Sequence, residues 1–121
     1  MVIVVVAAAV YFLKDFLFGR PTQVVVRNNS GKTLSLVELV MRHPGGAVTT
    51  ERFGDVAPDE EHVVYPLGPD FTARLTFIMA DGEHVCEKGV DLWRGETFVF
   101  EIEPDAAVRA GHDYGHGIIE E

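Results

Sequence analysis

The stretch that decides the fold is Phe71-Thr72-Ala73-Arg74-Leu75-Thr76-Phe77-Ile78-Met79-Ala80-Asp81-Gly82. Phe71, Ala73, Leu75, Phe77 and Met79 alternate with Thr72, Arg74, Thr76 and Ile78. A period of two puts the first set on one face of a β-strand, against a core, and the second set on the other. Asp81-Gly82 follows at once, a strong hairpin signal into a strand over residues 83–87.

The same period recurs on both sides. Val24 and Val26 alternate with Gln23, Val25 and Arg27, and Asn28-Asn29-Ser30-Gly31 closes that strand with a turn. A second strand runs from Thr33 to His43. Its apolar phase slips between Leu36 and Val37, which predicts a β-bulge there, and His43-Pro44-Gly45-Gly46 ends it. Residues 47–53 form a weaker strand, 55–59 a loop and 61–67 another strand, stopped by Pro66 and Gly68-Pro69. Val90, Leu92 and Trp93 precede the turn Arg94-Gly95-Glu96. Residues 97–103 then carry Phe98, Phe100 and Ile102 on one face and Thr97, Val99 and Glu101 on the other. About seven short strands at this spacing, with no helical period between them, predict an all-β two-sheet sandwich of Ig-like architecture over residues 21–103. The pair of cysteines flanking a tryptophan in true immunoglobulin domains is absent, because Cys86 is the only cysteine.

Residues 1–20 have a different pattern. Val2 to Leu13 is unbroken apolar sequence, VIVVVAAAVYFL; Lys14-Asp15 interrupts it and Phe16-Leu17-Phe18 resumes it before Gly19-Arg20-Pro21. As a helix, residues 2–13 cover about 18 Å and residues 2–18 about 26 Å, against a hydrocarbon core of ~30 Å. Counting to Phe18, with Lys14 snorkelling, gives a single-pass transmembrane anchor, its apolar surface including Val2, Val6, Val10, Phe12, Phe16 and Phe18. A secretory signal would place basic residues before the run and a small-x-small site after it; neither is present, so the expectation is an uncleaved anchor. The expected setting is a bacterial inner membrane, with lipid contacted through residues 2–18. The side is open. Lys14, Arg20 and Arg27 favour a cytoplasmic domain, while a missing basic leader would put it outside.

Charge narrows the partners. The net charge is −9, distributed as +1 over residues 1–20, −7 over 21–103 and −3 over 104–121. No clustered basic face exists to hold phosphates, so nucleic acid is not an expected partner.

No residue group reads as a catalytic centre, and no enzyme activity or cofactor is expected. His112 and His116 bracket Asp113 at four-residue spacing and are weak metal candidates, but Gly111, Gly115 and Gly117 oppose the helix that would align them. His84 and Cys86 share a strand face with no second ligand pair. Asp55 and Asp59-Glu60-Glu61 lack the alternating spacing of a calcium loop. Ser30 and Ser35 sit in no nucleophile elbow. The sequon Asn28-Asn29-Ser30 reads as a turn. Residues 104–121 read as a flexible acidic tail rich in glycine and histidine, whose Tyr114, Ile118 and Ile119 could dock on a neighbour. A chain made of anchor, compact domain and tail points to a non-catalytic accessory or structural subunit of a membrane protein complex, partnered by other membrane subunits. The alternative is a tethered module that binds a ligand or peptide through loops 43–46 or 55–61.

Overall fold

The structure is a computed structural model that describes residues 22–115 and 117–120. The expected anchor over residues 1–20 and His116 lie outside the described residues. Nine strands follow in order: β1 Gln23–Asn28, β2 Leu34–Arg42, β3 Val48–Val56, β4 Glu61–Val64, β5 Asp70–Met79, β6 Gly82–Asp91, β7 Thr97–Ile102, β8 Val108–Asp113 and β9 Ile118–Glu120. They form two sheets, one of five strands ordered β4-β1-β7-β8-β9 and one of four ordered β3-β2-β5-β6. The described residues contain no helix. None of them forms a helix long and apolar enough to cross a membrane.

The alternation of β5 does what its period requires. Phe71, Ala73, Leu75 and Phe77 are buried, while Thr72 and Arg74 are exposed. They meet Val24, Val26, Phe98, Phe100 and Ile102 of the opposite sheet in one continuous core. Each large side chain fully buried in this way contributes about 1.5–3 kcal/mol. The β5–β6 hairpin forms one residue earlier than the dipeptide suggests. Met79 faces Gly82, so Ala80-Asp81 is the two-residue loop and Gly82, at φ 130°, opens β6.

The bulge expected at Leu36-Val37 is not the device used. Leu34 faces Val56, Leu36 faces Gly54 and Val37 faces Phe53, so no extra residue enters the ladder. Instead both strands change phase together: Leu34 and Val37 are buried on β2, and Val56 is buried on β3 beyond the half-buried Phe53. Asp55, at φ 49°, takes the left-handed turn that makes this possible.

The region expected to be a flexible tail is ordered sheet. β8 pairs antiparallel with β7 along its full length, and β9 pairs with β8. Ala110 and His112 face inward and are buried. Gly111 faces the other way, and there the backbone of β9 comes so close that a Cβ would lie 1.9 Å from the carbonyl oxygen of Ile119. Glycine reads as a breaker in a tail; here it lets two backbones meet.

Strand polarity and contacts between loops, such as Leu92 N–H to Pro69 O and Gln23 N–H to Glu96 O, gather the loops at two ends. Thr22 and loops 43–47, 65–69, 92–96 and 114–117 form one end, which we call proximal because the chain arrives there from residue 21. Loops 29–33, 57–60, 80–81 and 103–107 form the distal end.

Candidate functional site

The sequence-derived candidates scatter rather than converge. His112 points into the sandwich, where its Nε2–H donates to the carbonyl oxygen of Asp91 on the opposite sheet at 2.9 Å. Its ring meets Phe98 edge-on at 5.4 Å and stacks on Tyr114 at 6.0 Å. That nitrogen is engaged in joining the sheets and does not face an open site. Tyr114 is exposed and its hydroxyl donates to Glu96 at 2.5 Å, while Ile119 is exposed on β9 and Ile118 half-buried.

His84 stacks on Phe77 at 5.3 Å and bonds Asp81 through Nε2 at 2.8 Å. Cys86 is half-buried against the core, and burial raises its thiol pKa, which lowers its nucleophilicity at neutral pH. The acidic run is also spoken for. Glu60 Oε2 lies 3.0 Å from His62 Nε2, and Glu61 accepts from Arg27 Nε at 2.6 Å. Among the described residues no group of three or more His, Cys, Asp or Glu could hold a metal ion. Ser30 is buried within the distal turn, its Oγ 2.6 Å from Asn28 Oδ1. Asn28 is itself buried, its amide donating to the carbonyls of Lys32, Val56 and Ala57 at 2.7, 3.1 and 3.0 Å. The sequon asparagine is thus a structural clamp.

Two features were not visible in the sequence. The first is a cleft of about 580 Å³ on the outer face of the five-stranded sheet. Val25 and Val99 floor it, and Arg27, Glu61, Glu96 and Tyr114 stand around it. Alternation assigns Val25 and Val99 to solvent, yet both are buried. They sit side by side on the two parallel strands β1 and β7, in the middle of their sheet. The unbroken run Val24-Val25-Val26 was the available signal, since strands covered on both faces lose alternation.

Beside the cleft, Arg27 bonds Glu61 at 2.6 Å and Glu101 at 3.0 Å, and Asn29 bonds Glu101 and Glu103, each at 3.0 Å. Burial opposes the charge on Arg27, but its two carboxylate partners outweigh that and raise its pKa. Glu96 titrates below its ordinary value because Tyr114 donates to its carboxylate.

The second feature is the proximal end. Its exposed apolar side chains are Val48, Tyr65, Leu67, Trp93 and Tyr114, with Leu67 71% and Trp93 75% exposed. Thr22, Pro66, Leu67, Pro69, Leu92 and Trp93 line an apolar hollow there. His43 lies next to it, its ring 5.4 Å from Phe71 and its buried Nε2 without a hydrogen-bond partner among the described residues. Asp70 and Asp91 face each other across β5 and β6, and the Asp70 carboxylate, which accepts a hydrogen bond from protonated Asp91 and repels its charged form, raises the pKa of Asp91.

The distal loops contrast with this. They carry Asp59, Glu60, Asp81, Glu103 and Asp105 against the single base Lys32, and none of the exposed large apolar side chains. The chain matches no protein-family model, no curated protein and no solved structure.

Proposed function

We propose that this chain is a non-catalytic accessory subunit of a membrane protein complex, tethered by residues 1–20 and presenting its two-sheet body to soluble parts of its partners. The observation that carries this reading is the polarity of the body. Five of the eight exposed large apolar side chains among its described residues stand at the end where the chain arrives from residue 21, and the acids of its loops, Glu96 apart, stand at the other. A body hung from a bilayer is expected to be polarised in this sense, apolar toward the interface and charged toward water. Lys14 and Asp15, placed within the apolar stretch, are easier to house beside another protein's helix than in bare lipid. The test is extraction of native membranes in mild detergent, followed by native electrophoresis and mass spectrometry. Co-migration with other membrane subunits at fixed stoichiometry is the expected result. Recovery as a free monomer overturns the reading.

A second reading, a tethered module that binds a ligand or peptide through its loops, is favoured by one specific feature. His43 Nε2, in loop 43–46, is buried without a hydrogen-bond partner among the described residues, and a polar group supplied by a ligand would satisfy it. His43→Phe keeps the ring against Phe71 and removes that nitrogen. Loss of a measured binding event in that variant, with the unfolding midpoint retained, separates this reading from the first.

A further inference from the structure

We infer that the proximal end is a lipid-contact surface, with Trp93 and Leu67 seated at the headgroup–acyl boundary of the bilayer that holds residues 1–20. This deepens the tethered reading and rests on it.

The argument starts from reach. Thr22 is pinned to the proximal tip, its Oγ1 3.5 Å from the carbonyl oxygen of Trp93 and accepting from the Gly95 amide at 3.0 Å. Between Phe18, the last apolar residue of the anchor, and Thr22 lie only Gly19, Arg20 and Pro21. Fully extended, the chain from Phe18 to Thr22 covers at most about 14 Å. The headgroup zone beside the hydrocarbon is itself about 5–8 Å deep. An anchored chain therefore holds the proximal tip within about 6–9 Å of the outer edge of the headgroups.

The tip has the chemistry that such a position selects. Trp93, Leu67 and Tyr65 project from two neighbouring loops and are 75%, 71% and 61% exposed. Tryptophan and tyrosine concentrate at membrane interfaces because each joins an apolar ring to a polar atom. Loop 65–69 reads Tyr-Pro-Leu-Gly-Pro and carries no charge. Arg94 stands at the tip with Asp91 and Glu96 on either side, one cation against two carboxyl groups, which suits zwitterionic headgroups rather than a strongly anionic surface. The distal acids lie a strand length away, about 30 Å for nine or ten residues, well beyond the ~8 Å Debye length at physiological salt. The distal acids therefore do not keep this end off the lipid, and the acids that bear on it are Asp70, Asp91, Glu96 and Asp113.

Trp93 is the only tryptophan, so intrinsic fluorescence reads this position alone. The full chain is reconstituted into phosphatidylcholine vesicles, plain or brominated near the carbonyl end of the acyl chains. The expected result is a blue-shifted Trp93 emission that loses intensity in the brominated vesicles. Leu67→Glu, at an exposed position where the fold is retained, reverses most of both changes. Water-like emission with no bromine quenching overturns the inference. So does a blue shift without quenching, which means that protein rather than lipid covers the tip. A second reporter separates this failure from failure of the anchor: Val10→Trp in a Trp93→Phe background, read in vesicles brominated near the methyl ends of the acyl chains, the depth of the anchor's midpoint. If that tryptophan is quenched and Trp93 is not, the lipid-contact surface falls and the tether stands. If neither is quenched, both fall.

Discussion

The two ends of this sandwich are built on opposite principles. The distal end is closed by hydrogen bonds: Asn28 reaches three carbonyls from one amide, Ser30 bonds back to Asn28, and Asn29 bonds Glu101 and Glu103. Its outward charge is acidic and its apolar residues are inside. The proximal end keeps Trp93, Leu67 and Tyr65 outside and leaves His43 Nε2 without a partner among the described residues. A buried polar group costs stability unless it is paired, so the distal end is arranged for fold stability. The proximal end leaves apolar surface open to a neighbour. Stability and contact are thus assigned to different ends of one small body.

That division can be broken in graded steps. The largest effect is expected from Asn28→Ala, which strands several buried carbonyls at once. A loss of about 3 kcal/mol is expected in urea unfolding. A loss under about 1 kcal/mol would mean that the distal turn is not what closes the sandwich. Gly111→Ala comes next. Its methyl group meets the Ile119 carbonyl, so β9 must move away at a cost of about 2 kcal/mol, and amide exchange in Ile118–Glu120 should accelerate while β7 stays protected.

The proximal substitutions are smaller. Glu96 titrates below its ordinary value when folded, so its contribution is present above the unfolded pKa and is lost as pH falls through the folded one. Tyr114→Phe should therefore flatten the fall in stability below about pH 4.5, followed by thermal melting across an acid series. The smallest change is expected from Asp91→Asn. The folded pKa of Asp91 is raised by Asp70, so its charged form is disfavoured in the fold, and the penalty grows as pH rises through that pKa. Removing the charge should lift the melting temperature slightly at neutral pH and leave it unchanged in acid. An identical rise at both pH values would assign the effect to something other than charge.

Much of this architecture is written in the alternation of single strands. Phe71 to Met79 shows its buried face without help from any partner, and so do Phe98, Phe100 and Ile102. What alternation misses depends on neighbours distant in the chain. Val25 and Val99 are buried because β1 and β7 lie side by side within the five-stranded sheet, a fact of topology rather than of local pattern. Residues 108–113 read as tail because glycine weakens a strand standing alone; Val108, Ala110 and His112 nonetheless keep period two, and this was the missed signal. The phase slip near Leu36 was legible, but its mechanism was not, because Asp55 on the neighbouring strand supplies it. The proximal patch escaped notice for a related reason. Tyr65, Leu67 and Trp93 stand in separate loops, and only the strand order brings them to one end.

The parallel pairing of β1 with β7 has a consequence for how the protein is made. Arg27 meets Glu101 from 74 positions away, and Gln23 faces Thr97. β1 leaves the ribosome first among the strands, yet one of its edges has no partner until residues 97–102 emerge. β7 in turn stays an open edge until residues 108–113 follow. The five-stranded sheet therefore cannot close during most of translation, and contacts so distant in sequence form slowly. In the interval the exposed run Val24-Val25-Val26 is the segment most in need of a chaperone or a nearby membrane surface. A ribosome-stalled series ending between residues 90 and 121, each followed by an unstructured linker that fills the exit tunnel, should show protease resistance arriving in one late step.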